Sequence, residues 1–242
     1  VTPTIGILRP GSTFTGMVER FGDYDAWFVR ALAPTGAQLV VYDVVANAPP
    51  DPASADGWLI TGSRSSLTTP PEPWARRLLD WIGEAVDSAS PLLGVCYGHQ
   101  AVCAALGGRV VRHPMGWEIG SVEVELTEEG RNDPLFAAFP DRFLVHTTHE
   151  DHVAELPPGA ILLASNAHSP VQAAAIGPTT RTVQFHPEVT EPIAADFVTY
   201  RRQLVAGNPT VGEAPHAPRV LENWVAGFIA PGDTAALERA EG

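Results

Sequence analysis

Two short stretches of this chain hold residues suited to nucleophilic chemistry. Cys96 stands between two glycines in "GVCYGHQ", Gly94 to Gln100, directly after the apolar run "PLLGV". His186 and Glu188 stand two residues apart in "VQFHPEV", Val183 to Val189. A thiol needs a base to take its proton, and the base needs a group that orients it. The G-x-C-x-G form after a strand and before a helix has the logic of a nucleophile elbow. Gly94 and Gly98 permit a sharp turn, and the sulfur then projects near a helix N-terminus, where thiolate is favoured. The Tyr97 amide faces the place where an oxyanion would develop. A small buried cysteine on a strand-to-helix turn fits the same residues. The second stretch reads as a buried strand, Val183 to Phe185, ended by Pro187. In extended backbone, residues i and i+2 share a side, so Glu188 can hold the imidazole of His186.

These stretches require elements that bring them together. "TIGILR" (Thr4–Arg9), "AQLVVYDV" (Ala37–Val44), "GWLITG" (Gly57–Gly62) and "PLLGV" (Pro91–Val95) read as strands. Between them, helices are expected over Asp23–Leu32 and Pro71–Val86, the latter with Trp74, Leu78, Trp81, Ile82 and Ala85 on one stripe. Gly98–Gly108 reads as a short helix closed by glycine. Alternating strands and helices predict an α/β fold with a parallel sheet and helices on both faces. Ligands collect at the carboxyl ends of such strands. Both "GSRSS" and "CYGHQ" begin there. After Val110 the pattern shifts to short, closely spaced strands: "SVEVEL", "RFLVHTT", "AILLAS", "VQAAAI" and "TRTVQF". A closing helix is expected over Ala194–Gly207. Near the C-terminus, "VLENWVAGFI" places Leu221, Trp224, Val225 and Phe228 on one face of a further helix.

Over Thr4 to Tyr200 the sequence resembles the class I, triad-type glutamine amidotransferases. "GVCYGHQ" looks like their nucleophile motif and "VQFHPE" like their His-Pro-Glu motif. "LITGSRSS" (Leu59–Ser66) is similar to their oxyanion loop, and "THEDHV" (Thr148–Val153) to their Ser-His-Gly-Asp segment. "MGWEIG" (Met115–Gly120) is typical of stand-alone members like the GMP-synthase amidotransferase. The resemblance implies a flavodoxin-like, mostly parallel central sheet flanked by helices, with extra antiparallel strands. The chain reads as one domain over 1–207, with 208–242, a tail that has no counterpart in the resemblance, as an extension packed on it. By the same resemblance, Cys96 attacks the side-chain amide of glutamine or another γ-glutamyl amide, His186 moves the proton, and Glu188 orients His186. Backbone N–H groups of Tyr97 and of the Gly62–Ser63 turn hold the oxyanion. Gln100 resembles a residue that holds the glutamyl group. Thr148, His149 and Trp117 are further substrate-binding candidates. Where relatives carry Gly-Gly-Pro, this chain has Gly62-Ser63-Arg64, so Arg64 brings a charge to the pocket mouth and can touch a substrate carboxylate. Glu150 replaces a glycine and can alter which amine-side group is accepted.

Two outcomes follow from such a γ-glutamyl thioester. The chain acts as a glutaminase that supplies ammonia to a separate synthetase in trans, since it carries no G-x-x-x-x-G-K-[ST] motif. Alternatively it works alone as a γ-glutamyl peptidase or hydrolase on a conjugate. A non-catalytic binding module on this fold is a third reading, against which the intact Cys96, His186 and Glu188 argue.

The remaining signals point away from other functions. The net charge of −13, with only short basic pairs such as Arg76-Arg77 and Arg201-Arg202, argues against nucleic acid. No apolar run reaches the ~18 residues of a membrane span, and no basic leader with an apolar core opens the sequence. The two cysteines, Cys96 and Cys103, are too few for a disulfide framework and suit a reducing cytoplasm. His146, His149 and His152 in "HTTHEDH" are read as loop residues, not a metal site, because the spacing is not H-E-x-x-H. No cofactor or metal is expected. "GGRVVRHPMG" reads as a solvated edge.

Overall fold

The computed structural model describes residues 2–205 and 207–229. In chain order the elements begin with β1 (Thr4–Arg9), α1 (Thr15–Phe21), α2 (Tyr24–Leu32), β2 (Gln38–Asp43) and β3 (Gly57–Ile60). They continue with α3 (Pro73–Asp87), β4 (Leu92–Val95), α4 (Tyr97–Ala105), β5 (Arg109–Arg112), β6 (Glu118–Leu126) and α5 (Glu128–Asn132). Then follow β7 (Arg142–His149), β8 (Asp151–Glu155), β9 (Ile161–Ser165), β10 (Ala173–Ile176), β11 (Thr180–Val183), α6 (Glu191–Arg201) and α7 (Arg219–Trp224).

One nine-stranded sheet runs β2-β1-β3-β4-β11-β10-β9-β6-β7. Pairing is parallel from β2 across to β11. From β11 to β7 it is antiparallel. The architecture is thus α/β, with the parallel core flanked by helices that the alternation predicts and the additional antiparallel strands that the resemblance implies. β5 and β8 form a separate antiparallel ribbon.

The parallel strands are buried on both faces, which is why they read as apolar runs. Ile5, Ile7, Leu59, Leu93 and Val95 pack with Phe28 and Leu32 of α2 and with Leu221 and Trp224 of α7. Leu8, Trp58, Ile60 and Leu92 face the other way, toward α3 and α4. The α3 stripe is buried as its spacing predicts, with Trp81 edge-on to Trp58 at 5.2 Å between ring centroids. Trp58 in turn lies over Gly6, where a Cβ would come within 2.0 Å of the indole. A side chain at position 6 would displace a fully buried tryptophan of that face.

Some expected boundaries change. The closing helix ends at Arg201 rather than Gly207; a 3-10 turn, Arg202–Leu204, follows, and Gly207 has a positive φ. "GGRVVRHPMG" is not simply a solvated edge: Arg109–Arg112 is β5 and His113 is buried. "HTTHEDH" is not a loop, since His146 and His149 lie on β7 and His152 on β8. Seven consecutive polar residues look like a loop when the strands that bury them are not visible.

The C-terminal segment packs against the same body over its described residues. Ser121 N–H donates to the Thr210 carbonyl at 2.8 Å, and Asn223 bonds the Leu135 and Ala137 carbonyls. Val220, Leu221, Trp224 and Val225 join the main core. The expected helix over this stretch is α7, continued by a π-helical stretch, Val225–Ile229. Residues 230–242 of the expected extension lie outside the described residues. No helix among the described residues is long and apolar enough to cross a membrane.

Candidate active site

β3, β4 and β11 are neighbours in the parallel part of the sheet. Their carboxyl ends carry the residues singled out from sequence. Gly94 pairs with Thr182 and Val95 with Val183, and the Cys96 N–H donates to the Val183 carbonyl at 2.9 Å. The strand ladder itself therefore sets Cys96 beside the stretch that leads to His186.

Cys96 sits at φ 53, ψ −101, directly before the first residue of α4. Such a conformation costs a non-glycine residue about 1–3 kcal/mol and persists where its surroundings over-determine it. The elbow glycines serve close approach rather than unusual torsions. A Cβ on Gly94 would lie 2.6 Å from the Gly98 carbonyl oxygen, and one on Gly98 would lie 2.3 Å from that of Ile60. The turn is sharp because three backbones touch, and Cys96 itself takes the strain.

His186 is buried between aromatic rings. Tyr24 lies nearly parallel to it at 6.3 Å and Phe197 at 6.2 Å between centroids. Its Nδ1 meets Glu188 Oε1 at 2.7 Å, and its N–H donates to the His146 carbonyl at 2.9 Å. The strand ends at Val183, earlier than expected, so His186 and Glu188 come together after a bend at Gln184–Phe185 and across a turn at Pro187–Glu188 rather than by strand alternation. Burial alone would lower the His186 pKa; the Glu188 carboxylate and the Cys96 sulfur outweigh it and push it up to about 10. Nε2 makes no geometrically complete hydrogen bond. The sulfur is thus near enough to act on the ring without closing a bond, a looseness common before substrate binds.

Gly62 abuts this imidazole. A Cβ there would come within 2.9 Å of His186 Cε1 and 3.3 Å of Tyr24 Cε1. The Ser63 hydroxyl donates to the Pro10 carbonyl at 2.8 Å and accepts from the Ser65 N–H, which pins the turn after β3. Tyr97 opens α4, where a backbone N–H has no intrahelical acceptor.

Beside Cys96 lies a cavity of about 120 Å³. Ser63, Arg64, Gln100, Trp117, Thr148, His149 and Glu150 all line it. Gln100 Nε2 donates to the Asp151 carbonyl at 2.8 Å and to Gln184 Oε1 at 3.1 Å. Glu150 pairs with Arg112 at 3.2 Å. His149 has both ring nitrogens engaged, Nδ1 with the Asp151 carbonyl at 3.0 Å and Nε2 with Glu118 Oε2 at 2.9 Å. Its ring therefore buttresses the wall and has no nitrogen left for a ligand. Glu118 also accepts from Gln172 and Asn166. Burial would raise its pKa, but His149 and the other donors hold it below the usual carboxylate range.

Three contributors escaped the sequence reading: Tyr24, Glu118 and Arg201. Arg201 donates to Thr148 Oγ1 and stacks over Trp117 at 4.5 Å. One signal for it was available. It stands four residues after Phe197 on the buried stripe of α6, where a charged residue is out of place. Among the described residues, no group of three or more His, Cys, Asp or Glu side chains is arranged to hold a metal.

Comparison with known proteins places the chain in a family and a fold. The family model described as glutamine amidotransferase class-I matches residues 17–198. A GMP synthase [glutamine-hydrolyzing] of Xanthomonas axonopodis pv. citri is 33% identical over 217 residues, 84% of this chain but 39% of that protein. Gamma-glutamyl peptidase 4 of Arabidopsis thaliana is 29% identical over 207 residues, covering 84% of this chain and 80% of the relative. The crystal structure of a glutamine amido transferase from Methylobacillus flagellatus has the same fold, with a TM-score of 0.74 at 19% identity over 96% of this chain and 98% of that one.

Proposed function

This chain belongs to the class I glutamine amidotransferase family, and we propose that it hydrolyses a γ-glutamyl amide through a γ-glutamyl thioester on Cys96. The observation that carries the reading is the convergence of Cys96, His186 and Glu188 at the carboxyl ends of β4 and β11, with His186 Nδ1 held 2.7 Å from Glu188. The Cys96 sulfur attacks the amide carbon while His186 takes the thiol proton. The oxyanion accepts from the Tyr97 N–H and from an N–H of the Gly62–Ser63 turn. His186 returns the proton to the leaving nitrogen, which departs as ammonia or an amine. Water then attacks the thioester and glutamate is released. Glu188 keeps the imidazole in one orientation and stabilises its charged form.

With glutamine as substrate, the ammonia supplies a synthetase acting in trans. The likeness to the GMP synthase favours that outcome. The overlap with a γ-glutamyl peptidase, which takes in 80% of that relative against 39% of the GMP synthase, favours a second one, hydrolysis of a γ-glutamyl conjugate without any acceptor enzyme. Both free thiols suit a reducing cytoplasm. Glutamate release from glutamine, γ-glutamyl dipeptides and glutathione conjugates, each assayed separately, ranks the two. Release from none of them, or release unchanged in Cys96→Ala, sinks the reading.

A further inference from the structure

Arg201 is a buried cation in the cavity that pairs with no Asp or Glu among the described residues. It is 5% exposed and lines the cavity together with Cys96. Its hydrogen-bond partner is a neutral hydroxyl, Thr148 Oγ1. The rings of Phe14, Trp117 and Phe197 surround the guanidinium at 5.1, 4.5 and 5.3 Å. Arg64, also in the cavity lining, lies over the same Phe14 ring at 4.3 Å. Among the described residues neither guanidinium makes an ion pair with Asp or Glu. The third cation of the lining, Arg112, pairs with Glu150, and the other deeply buried arginine, Arg181, pairs with Asp133.

Burying a guanidinium without a counter-ion is costly, and aromatic faces return only part of that cost. Burial lowers the Arg201 pKa, Tyr24 and Cys96 oppose this, and Arg64 adds to it as a like charge. A second cation beside the first makes sense where an anion completes both. A guanidinium is the donor best matched to a carboxylate, because its planar fork offers two parallel N–H bonds. The cavity is open beside Cys96, so the missing anion is one that arrives with the substrate.

We propose that Arg201, aided by Arg64, is the receptor for a substrate carboxylate and selects anionic γ-glutamyl amides over neutral amides at Cys96. This rests on the reading of Cys96 as the nucleophile of a γ-glutamyl amidase. The carboxylate is either the α-carboxylate of the glutamyl group or one carried by the leaving amine.

Alkylation of Cys96 tests the receptor without any turnover. Wild-type protein is expected to react with iodoacetate saturably and faster than with neutral iodoacetamide. In Arg201→Gln the iodoacetate-to-iodoacetamide rate ratio falls at least tenfold, and Arg201→Lys falls between. A ratio unchanged in Arg201→Gln overturns the proposal. Should that variant not fold, the wild type answers alone: glutarate protects Cys96 from iodoacetamide and neutral glutaramide does not. Equal protection by both, or protection by neither, overturns it. Turnover separates the two carboxylates. If KM in Arg201→Gln rises tenfold or more for both γ-glutamylglycine and γ-glutamylmethylamide, the α-carboxylate is the occupant. If it rises for γ-glutamylglycine alone, the occupant is on the amine side. No rise for either overturns the proposal. If wild-type protein hydrolyses neither compound, the amidase reading fails, while the alkylation ratio still decides whether the anion receptor exists.

Discussion

The parallel and antiparallel parts of the sheet treat their polar residues differently. At the ends of β3, β4 and β11 the key groups are left with an open side: Cys96 in a strained turn, His186 with Nε2 unbonded, Tyr97 at the start of a helix. Around β6, β7 and β8 most polar groups that face the cavity are tied to one another, while Thr147 Oγ1 and His152 Nδ1 are left without a partner among the described residues. His149, Glu118, Gln172 and Asn166 form one network, and the Asp151 carbonyl accepts from both Gln100 and His149. The same contrast appears in the histidines. His186, beside a carboxylate, has a raised pKa. His152 is lowered to about 4 by burial and then by His113, His149 and His168. Parallel strand ends are suited to reacting groups because adjacent strands end together, whereas a hairpin returns its backbone and satisfies it locally. One part carries candidate chemistry and the other shapes the wall facing it.

The contrast can be broken from the reactive side first. Cys96→Ala is expected to lower glutamate release by about 10⁴-fold or more with the fold retained, measured by initial rates and circular dichroism. Glu188→Gln keeps the shape but not the charge. It should cost roughly 10²–10⁴-fold in kcat with little change in KM. Gly62→Ala pushes a methyl group toward His186 Cε1, so kcat should fall on the order of 10²-fold; an unchanged kcat would mean that the imidazole position does not matter. On the wall side, Glu118→Gln loses a charged acceptor of three bonds. A stability loss of about 1–3 kcal/mol is expected in urea titration, with KM affected more than kcat.

The smallest effect is in the pH dependence of stability, and its sign differs between the two regions. His186 has a folded pKa above its ordinary 6.5. Its contribution is fully present below that value and is lost as pH rises through about 10. His152 has a folded pKa below 6.5, so its contribution is present above 6.5 and is lost as pH falls toward about 4. Thermal melts across pH 4 to 11 should therefore lose their alkaline slope in His186→Asn and part of their acid slope in His152→Asn. A slope that persists in the matching variant refutes the assignment for that residue.

Cys96, His186 and Glu188 were legible because each lies in a short motif; the elbow backbone explains Cys96, whereas His186 and Glu188 meet at the expected spacing but beyond the strand whose alternation was to pair them. The parallel strands and α3 were legible for a similar reason, since burial on both faces leaves a continuous apolar run and a single buried stripe leaves a period of 3.6. Boundaries were less so. The strand before His186 ends at Val183 because the chain bends at Gln184 and Phe185, with Gln184 N–H bonded to the Gln172 carbonyl and His186 N–H to that of His146 on β7, contacts that no local pattern encodes. α1 was missed because its seven residues bury only Met17. β5 and β8 were missed because a two-stranded ribbon shows no apolar face of its own.

The sequence by itself determined the α/β alternation, the elbow around Cys96 and the pairing of His186 with Glu188. These depend on neighbours within a few positions along the chain. Only the tertiary structure decided which cations are neutralised and which are not. Arg112, Arg181 and Arg201 look alike as letters. Folding sets Glu150 beside the first, Asp133 beside the second, and aromatic rings and a hydroxyl around the third. A charge pair is defined by distance in space, and the partners of Arg201 come from α6, β7 and the segments that carry Phe14 and Trp117. No spacing along the chain could have shown them meeting.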